Sequence, residues 1–81
     1  MDTFVKNSLK LFKAFRDVKP RSLGDKLLLE YHRKCHMLYA GNIKRTPPNK
    51  TFINSIVEYH DSLVKEMLRR NMRHNSPLKK I

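Results

Sequence analysis

The stretch Phe52-Ile53-Asn54-Ser55-Ile56-Val57-Glu58-Tyr59-His60-Asp61-Ser62-Leu63-Val64-Lys65-Glu66-Met67-Leu68 decides the fold class. Its apolar residues fall as the pairs Phe52/Ile53, Ile56/Val57, Leu63/Val64 and Met67/Leu68, with His60 in the remaining slot. That is the i, i+3, i+4, i+7 stripe of an amphipathic helix. At about 100° per residue, Asn54, Glu58, Asp61 and Lys65 gather on the opposite side. A helix divided in this way buries its stripe only against partners, and 81 residues leave room for two more helices.

Both partners lie upstream. The pattern predicts a first helix with Asp2 or Thr3 as N-cap that runs to about Val18, before Pro20 stops it. Phe4, Val5, Leu9, Leu11, Phe12, Phe15 and Val18 cover half of its circumference, and Lys6, Lys10, Lys13 and Asp17 oppose them. Ser8 sits inside the apolar half, where a small residue either relieves crowding or lines a cavity. Ser22-Leu23-Gly24-Asp25 then resembles a capping box that opens a second helix, expected to reach Tyr39 or Ala40 and to stop at Gly41-Asn42. Its stripe is Leu27, Leu28, Tyr31, Cys35, Leu38 and Tyr39, with Lys26, Glu30, Arg33 and Met37 on the far side. Pro47-Pro48 stiffens the next connection, and the third helix begins at Asn49 or Thr51 and continues to about Met72, before Asn75-Ser76-Pro77. No strand signal, internal repeat or glycine-rich loop interrupts this series. The expected fold is all-α, a three-helix bundle over residues 1–74 as one domain, with a basic tail over 75–81 that is solvated or ordered on a partner.

Charge narrows the range of partners. Lys and Arg number 18 against 7 Asp and Glu, a net charge of +11, where about 2–8 is usual for a small domain. Residues 1–50 carry 12 basic and 4 acidic side chains, so the excess runs along the chain instead of filling a tail. The partner should therefore be acidic: nucleic acid, an anionic membrane surface or an acidic protein. Cys35 is the single cysteine, which excludes an internal disulfide framework. Leu27-Leu28-Leu29 is the longest aliphatic run, far short of the ~20 apolar residues that span a bilayer. The segment from Met1 to Lys19 is basic and amphipathic, and is expected to act as an uncleaved mitochondrial import signal.

Chemistry-bearing residues are few. His32 and His36 stand one helical turn apart with Cys35 between them, the spacing of a metal half-site, but no second pair follows at ligand spacing and no metal site is expected. His60 lies mid-stripe, where a hydrogen-bonded core or interface histidine is the ordinary case and contact with a ligand the alternative. Ser8, Ser22, Ser55, Ser62 and Ser76 lack a nucleophile elbow, and Glu58 and Asp61 fall on the polar face. An enzyme is not expected.

Leu11-Phe12-Lys13 in the basic first helix resembles the Leu-Tyr-Arg signature of the mitochondrial LYR-motif proteins. Ser22-Leu23-Gly24-Asp25, Glu30-Tyr31-His32-Arg33-Lys34 and the pattern from Phe52-Ile53 to Glu58-Tyr59 resemble the succinate dehydrogenase assembly factor branch of that superfamily, over about residues 8–66. Phe12 lacks the tyrosine hydroxyl, Lys13 offers a point charge in place of a planar guanidinium, and Tyr31 stands where a phenylalanine is usual. The resemblance implies a three-helix adaptor of the mitochondrial matrix. Such adaptors bind the acidic mitochondrial acyl carrier protein, whose acyl-4'-phosphopantetheine enters the bundle. They serve as assembly factors or accessory subunits of respiratory complexes, iron–sulfur machinery or mitochondrial ribosomes.

By that resemblance Leu11, Phe12 and Lys13 mark the signature and Tyr31 the aromatic of the second helix. From charge placement, Lys10, Lys13, Arg33 and Lys34 would meet the carrier. Phe4, Ser8, Phe15, Leu28, Ile56 and His60 are the candidates for lining an acyl tunnel, the alternative being ordinary core. A different class of function fits the same charge: a small ribosomal or other RNA-binding helical protein, held by phosphate contacts. A peripheral membrane helix, formed by undocking the first helix, is a third reading.

Overall fold

The long amphipathic stripe forms as expected. A computed structural model describes residues 3–73 and 77–81, and in it the chain is an all-α three-helix bundle of α1 (Thr3–Lys13), α2 (Asp25–Ile43) and α3 (Lys50–Arg69), with a 3₁₀ turn over Pro20–Ser22. The side chain of Asn49 caps α3 by accepting from the Phe52 N–H at 3.0 Å. Asp25 at the start of α2 meets Arg70 just past the end of α3, and His36 meets His60 midway, so the two long helices run antiparallel. The molecule measures 38 × 22 × 16 Å, and its thinnest dimension admits no more than two helix layers of about 10 Å each. No helix among the described residues is long and apolar enough to cross a membrane.

Rings make the core. Phe12 is seated edge-on to Phe52, Tyr59 and Phe15, with ring centroids 5.7, 6.1 and 5.6 Å away. Phe15 in turn lies 4.9 Å from Tyr31 and 5.7 Å from Tyr59. Such pairs contribute ~0.5–1.5 kcal/mol each beyond the area they bury. Leu28, Ile56, Leu63 and Cys35 fill the seam between α2 and α3. Burial, reinforced by the charges of Cys35 and Tyr31, pushes the Tyr59 phenol up to about 12. It stays protonated and donates to the Val18 carbonyl at 2.8 Å, fastening the segment after α1.

Local signals are overridden where the tertiary fold has a competing use for the residue. α1 ends at Lys13 and not at Val18, because the chain tightens there. Ala14 and Phe15 donate to the carbonyls three residues back, and this brings Phe15 round to the core beside Phe12. The expected capping box does not form: the Ser22 hydroxyl donates to the Lys19 carbonyl at 2.7 Å, Gly24 takes the N-cap position, and the Asp25 carboxylate turns to Arg70. Gly41-Asn42 does not stop α2, which continues to Ile43. Asn42 is buried and donates back to the Leu38 carbonyl at 2.8 Å. At the other end of the bundle α3 closes at Arg69, where Asn71 adopts φ 62. The Asn71 and Met72 N–H groups return to the Leu68 and Met67 carbonyls, a Schellman closure. The alternative cap Asp2 and the breaker residues Asn75 and Ser76 lie outside the described residues. Pro77–Ile81 are not simply solvated: Tyr39 donates to the Lys79 carbonyl, Asn54 exchanges two hydrogen bonds with the backbone of Ile81, and Lys80 pairs with Glu58 at 3.0 Å.

The three-way junction at the end of α3 is electrostatic. Glu66, inward-facing near the end of the α3 stripe, accepts from Arg69 and Arg70, while Arg70 also pairs with Asp25 at 2.9 Å and donates to the Leu23 carbonyl at 2.7 Å. The guanidinium of Arg69, and then that of Arg70, hold the Glu66 carboxyl down at about 2, against an ordinary 4.5. A carboxyl lowered on folding stabilises the protein above the ordinary value and loses that contribution as pH falls through the folded one. Urea midpoints measured against pH should therefore fall between about 4.5 and about 2. Glu66→Gln should be less stable at neutral pH and should lack that component of the acid limb.

Candidate functional site

α1 does not close fully over α2. Phe4, Ser8 and Leu11 succeed one another along one line of α1, at i, i+4 and i+7, and face Lys34, Met37 and Leu38 on α2. Between them runs an open groove of about 410 Å³, completed by Asn7 and Arg33. Ser8 and Leu38 are its buried floor, whereas Phe4, Leu11 and Met37 are 41, 45 and 68% exposed on its walls. A larger residue at position 8 would fill the space, so the groove exists because a hydroxymethyl stands among large neighbours.

Its far end has a defined shape. A Cβ on Gly41 would come within 2.6 Å of the Phe4 ring, so glycine there is the seat on which Phe4 rests. The Arg45 guanidinium lies 4.1 Å from the centroid of the same ring, a cation–π contact that keeps a positive charge beside the groove. At the other end the Lys34 ammonium is 5.6 Å from the Tyr31 ring and 6.0 Å from that of Phe15. Arg33, Lys34 and Arg45 thus form a cationic rim around an apolar trough. An amphipathic anion with an apolar tail matches both parts.

The sequence-derived candidates divide sharply. Phe4 and Ser8 line the groove; Phe15, Leu28 and Ile56 are sealed in the core, at 3, 0 and 0% exposed. Among the described residues these three pack in the core with Phe12 and line no part of the groove. Of the LYR-like residues, Leu11 faces the groove, Phe12 anchors the core, Lys13 is exposed in the last turn of α1, and Tyr31 stacks on Phe15. Arg33 and Lys34 stand on the rim, while Lys10 and Lys13 are exposed on α1 and do not line the groove. His60 is not a groove residue; it faces His36 across the seam of α2 and α3, with 3.1 Å between their Nε2 atoms. Met37, Leu38, Asn7 and Arg45 were not singled out by sequence. The four-residue spacing of Phe4 and Ser8, set against an unpaired methionine on the polar side of α2, was the available signal.

A second concavity lies at the opposite end of α3, between the 3₁₀ turn and the last turns of the helix. It is an open, solvated cleft of about 810 Å³ bordered by Lys19, Arg21, Lys65 and Arg69. The hydroxyls of Ser22, Ser55 and Ser62 donate to backbone carbonyls, and burial pushes the Cys35 thiol up to about 12.

No family model, curated protein or solved structure matches this chain. The assignment of the groove therefore rests on its own geometry. If Phe12 is anchor and Phe4 is wall, their truncations should differ: Phe12→Ala should cost about 3–5 kcal/mol, and Phe4→Ala no more than about 1 kcal/mol, as read from urea denaturation.

Proposed function

We propose that the protein is a non-enzymatic adaptor of the mitochondrial matrix that receives the acyl-phosphopantetheine arm of an acidic acyl carrier protein in the groove between α1 and α2. In this role it serves the assembly or the architecture of a larger mitochondrial complex, respiratory or ribosomal. The observation that carries the reading is the pairing of an apolar trough with a basic rim on one face of two helices. Its likeness to the LYR-motif signature supports the same assignment, with one change from the sequence expectation: the acyl chain lies in a lateral groove instead of threading a sealed interior.

The energetics agree with this division of labour. About ten methylenes taken from water contribute on the order of 8 kcal/mol gross, and Arg33 and Lys34 supply attraction that speeds encounter with an acidic partner and weakens with salt. Leu11, Phe4 and Met37 lose water in the same event. A bundle of this size gains stability from any ligand that binds the folded state alone.

The basic cleft bordered by Lys19, Arg21, Lys65 and Arg69 favours a second reading, in which the protein contacts RNA phosphates. Two variants separate the readings. Arg33→Glu with Lys34→Glu should abolish capture of the acyl carrier in pull-downs, and Met37→Asp, at an exposed position, should weaken capture of the acylated carrier at least tenfold without loss of helical circular dichroism. Equal capture of acylated and unacylated carrier would defeat the groove assignment. RNA binding that is lost in Lys19→Glu with Arg21→Glu, with carrier capture absent throughout, would establish the second reading.

A further inference from the structure

The seam between α2 and α3 holds a constellation that the adaptor reading does not use. His32 and His36 project from successive turns of α2, and His60 meets them from the middle of α3. The three ring centroids form a near-equilateral triangle with sides of 4.6, 4.8 and 4.8 Å. Their Nε2 atoms converge: His36 lies 3.3 Å from His32 and 3.1 Å from His60. One ring nitrogen from each residue falls within 4.8 Å of the other two. We propose that these imidazoles form a binding site for a divalent d-block cation, with zinc the best match, and that the ion ties α2 to α3.

The spacing is that of a coordination sphere. With Zn–N bonds of 2.0–2.1 Å, adjacent ligands of a tetrahedron stand about 3.3–3.4 Å apart. Two edges of the triangle already have nearly that length, and a small rotation of His32 toward His60 closes the third. The tautomers are also prepared. Asp61 Oδ1 lies 3.1 Å from His60 Nδ1, so this nitrogen donates its proton outward and leaves the Nε2 lone pair aimed into the triangle. A carboxylate behind a histidine is the usual second partner of a metal ligand, fixing ring orientation and raising basicity. His36 Nε2 sits on both short contacts, and a single N–H can serve only one of them; a cation at the centre engages all three lone pairs.

The ligand set selects the ion. Three imidazoles and no oxygen donor disfavour calcium and magnesium, which take carboxylates, carbonyls and water. Cys35, although adjacent in sequence and buried in the core between the same two helices, is not among the converging groups. His60 is buried while His32 and His36 are partly open, so an ion enters from the α2 side and keeps its fourth position for water or a further donor. The expectation of no metal site rested on a missing second pair of ligands. Antiparallel packing supplies one ligand from a residue 24 positions away.

The test uses the full chain, dialysed against chelator and titrated with cobalt(II) as the spectroscopic probe and zinc as competitor. One cobalt per chain should give the intense visible bands of four-coordinate cobalt, displaced by one equivalent of zinc. Saturating zinc should raise Tm by about 10 °C. His32→Gln and His36→Gln, at partly open positions that tolerate polar replacement, should each weaken binding at least about 100-fold, and Asp61→Asn by about 10-fold. A folded chain that shows no saturable cobalt binding would overturn the proposal and leave a hydrogen-bonded histidine cluster. Binding that survives His32→Gln with His36→Gln would overturn it equally, by placing the metal elsewhere.

Discussion

Phe12 and Phe15 hold α1 to the other two helices, and they do so through a local change of helix type. In a continuous α-helix, residues three apart diverge by about 60° around the axis. Tightening after Lys13 removes that divergence, so both rings enter the same notch between α2 and α3 and meet Phe52, Tyr59 and Tyr31. Because the anchor lies at the C-terminal end of α1, the rest of that helix is free to stand slightly off α2. The groove lies along that free stretch, between the anchor and the seat of Phe4 on Gly41, with Ser8 as the small residue in its floor.

What was legible in the sequence was what depends on periodicity. The stripe of α3, its start near Asn49, the order of three helices and the inward position of Cys35 follow from residues read singly or at helical spacing. The misreadings share a cause, which is that a side chain with a good local use was taken by a distant partner. Ser22 and Asp25 have the spacing of a cap, but Arg70 arrives from 45 positions away and claims the carboxylate. Gly41 has the composition of a helix terminator and instead keeps helical dihedrals to make room for the Phe4 ring. His60 reads as an isolated polar residue in an apolar stripe until antiparallel packing sets it opposite His36. Long-range pairings of this sort carry no local signature, and here they distinguish wall from core.

Charge is spent unevenly over the surface. Arg69 and Arg70 neutralise Glu66 and Asp25 at one end of the bundle, and Lys80 answers Glu58 on the flank. Seven acidic residues in the whole chain leave most lysines and arginines uncompensated. The groove rim is one place where that surplus adjoins exposed apolar surface, which distinguishes it from a solvated basic face. Cations beside hydrocarbon favour a partner that is both acidic and lipidic.

Arg70 joins parts of the chain that ordinarily loosen independently. The ends of isolated helices fray, and their amides exchange with solvent far sooner than those of the interior. Here one guanidinium spans the last turn of α3, the carbonyl of Leu23 and the first residue of α2. To unwind, the end of α3 must release the start of α2 and the connection from α1 as well. Two helix termini and the connection before α2 are thereby merged into a single opening unit, so a region that would otherwise fray shares the cooperativity of the core.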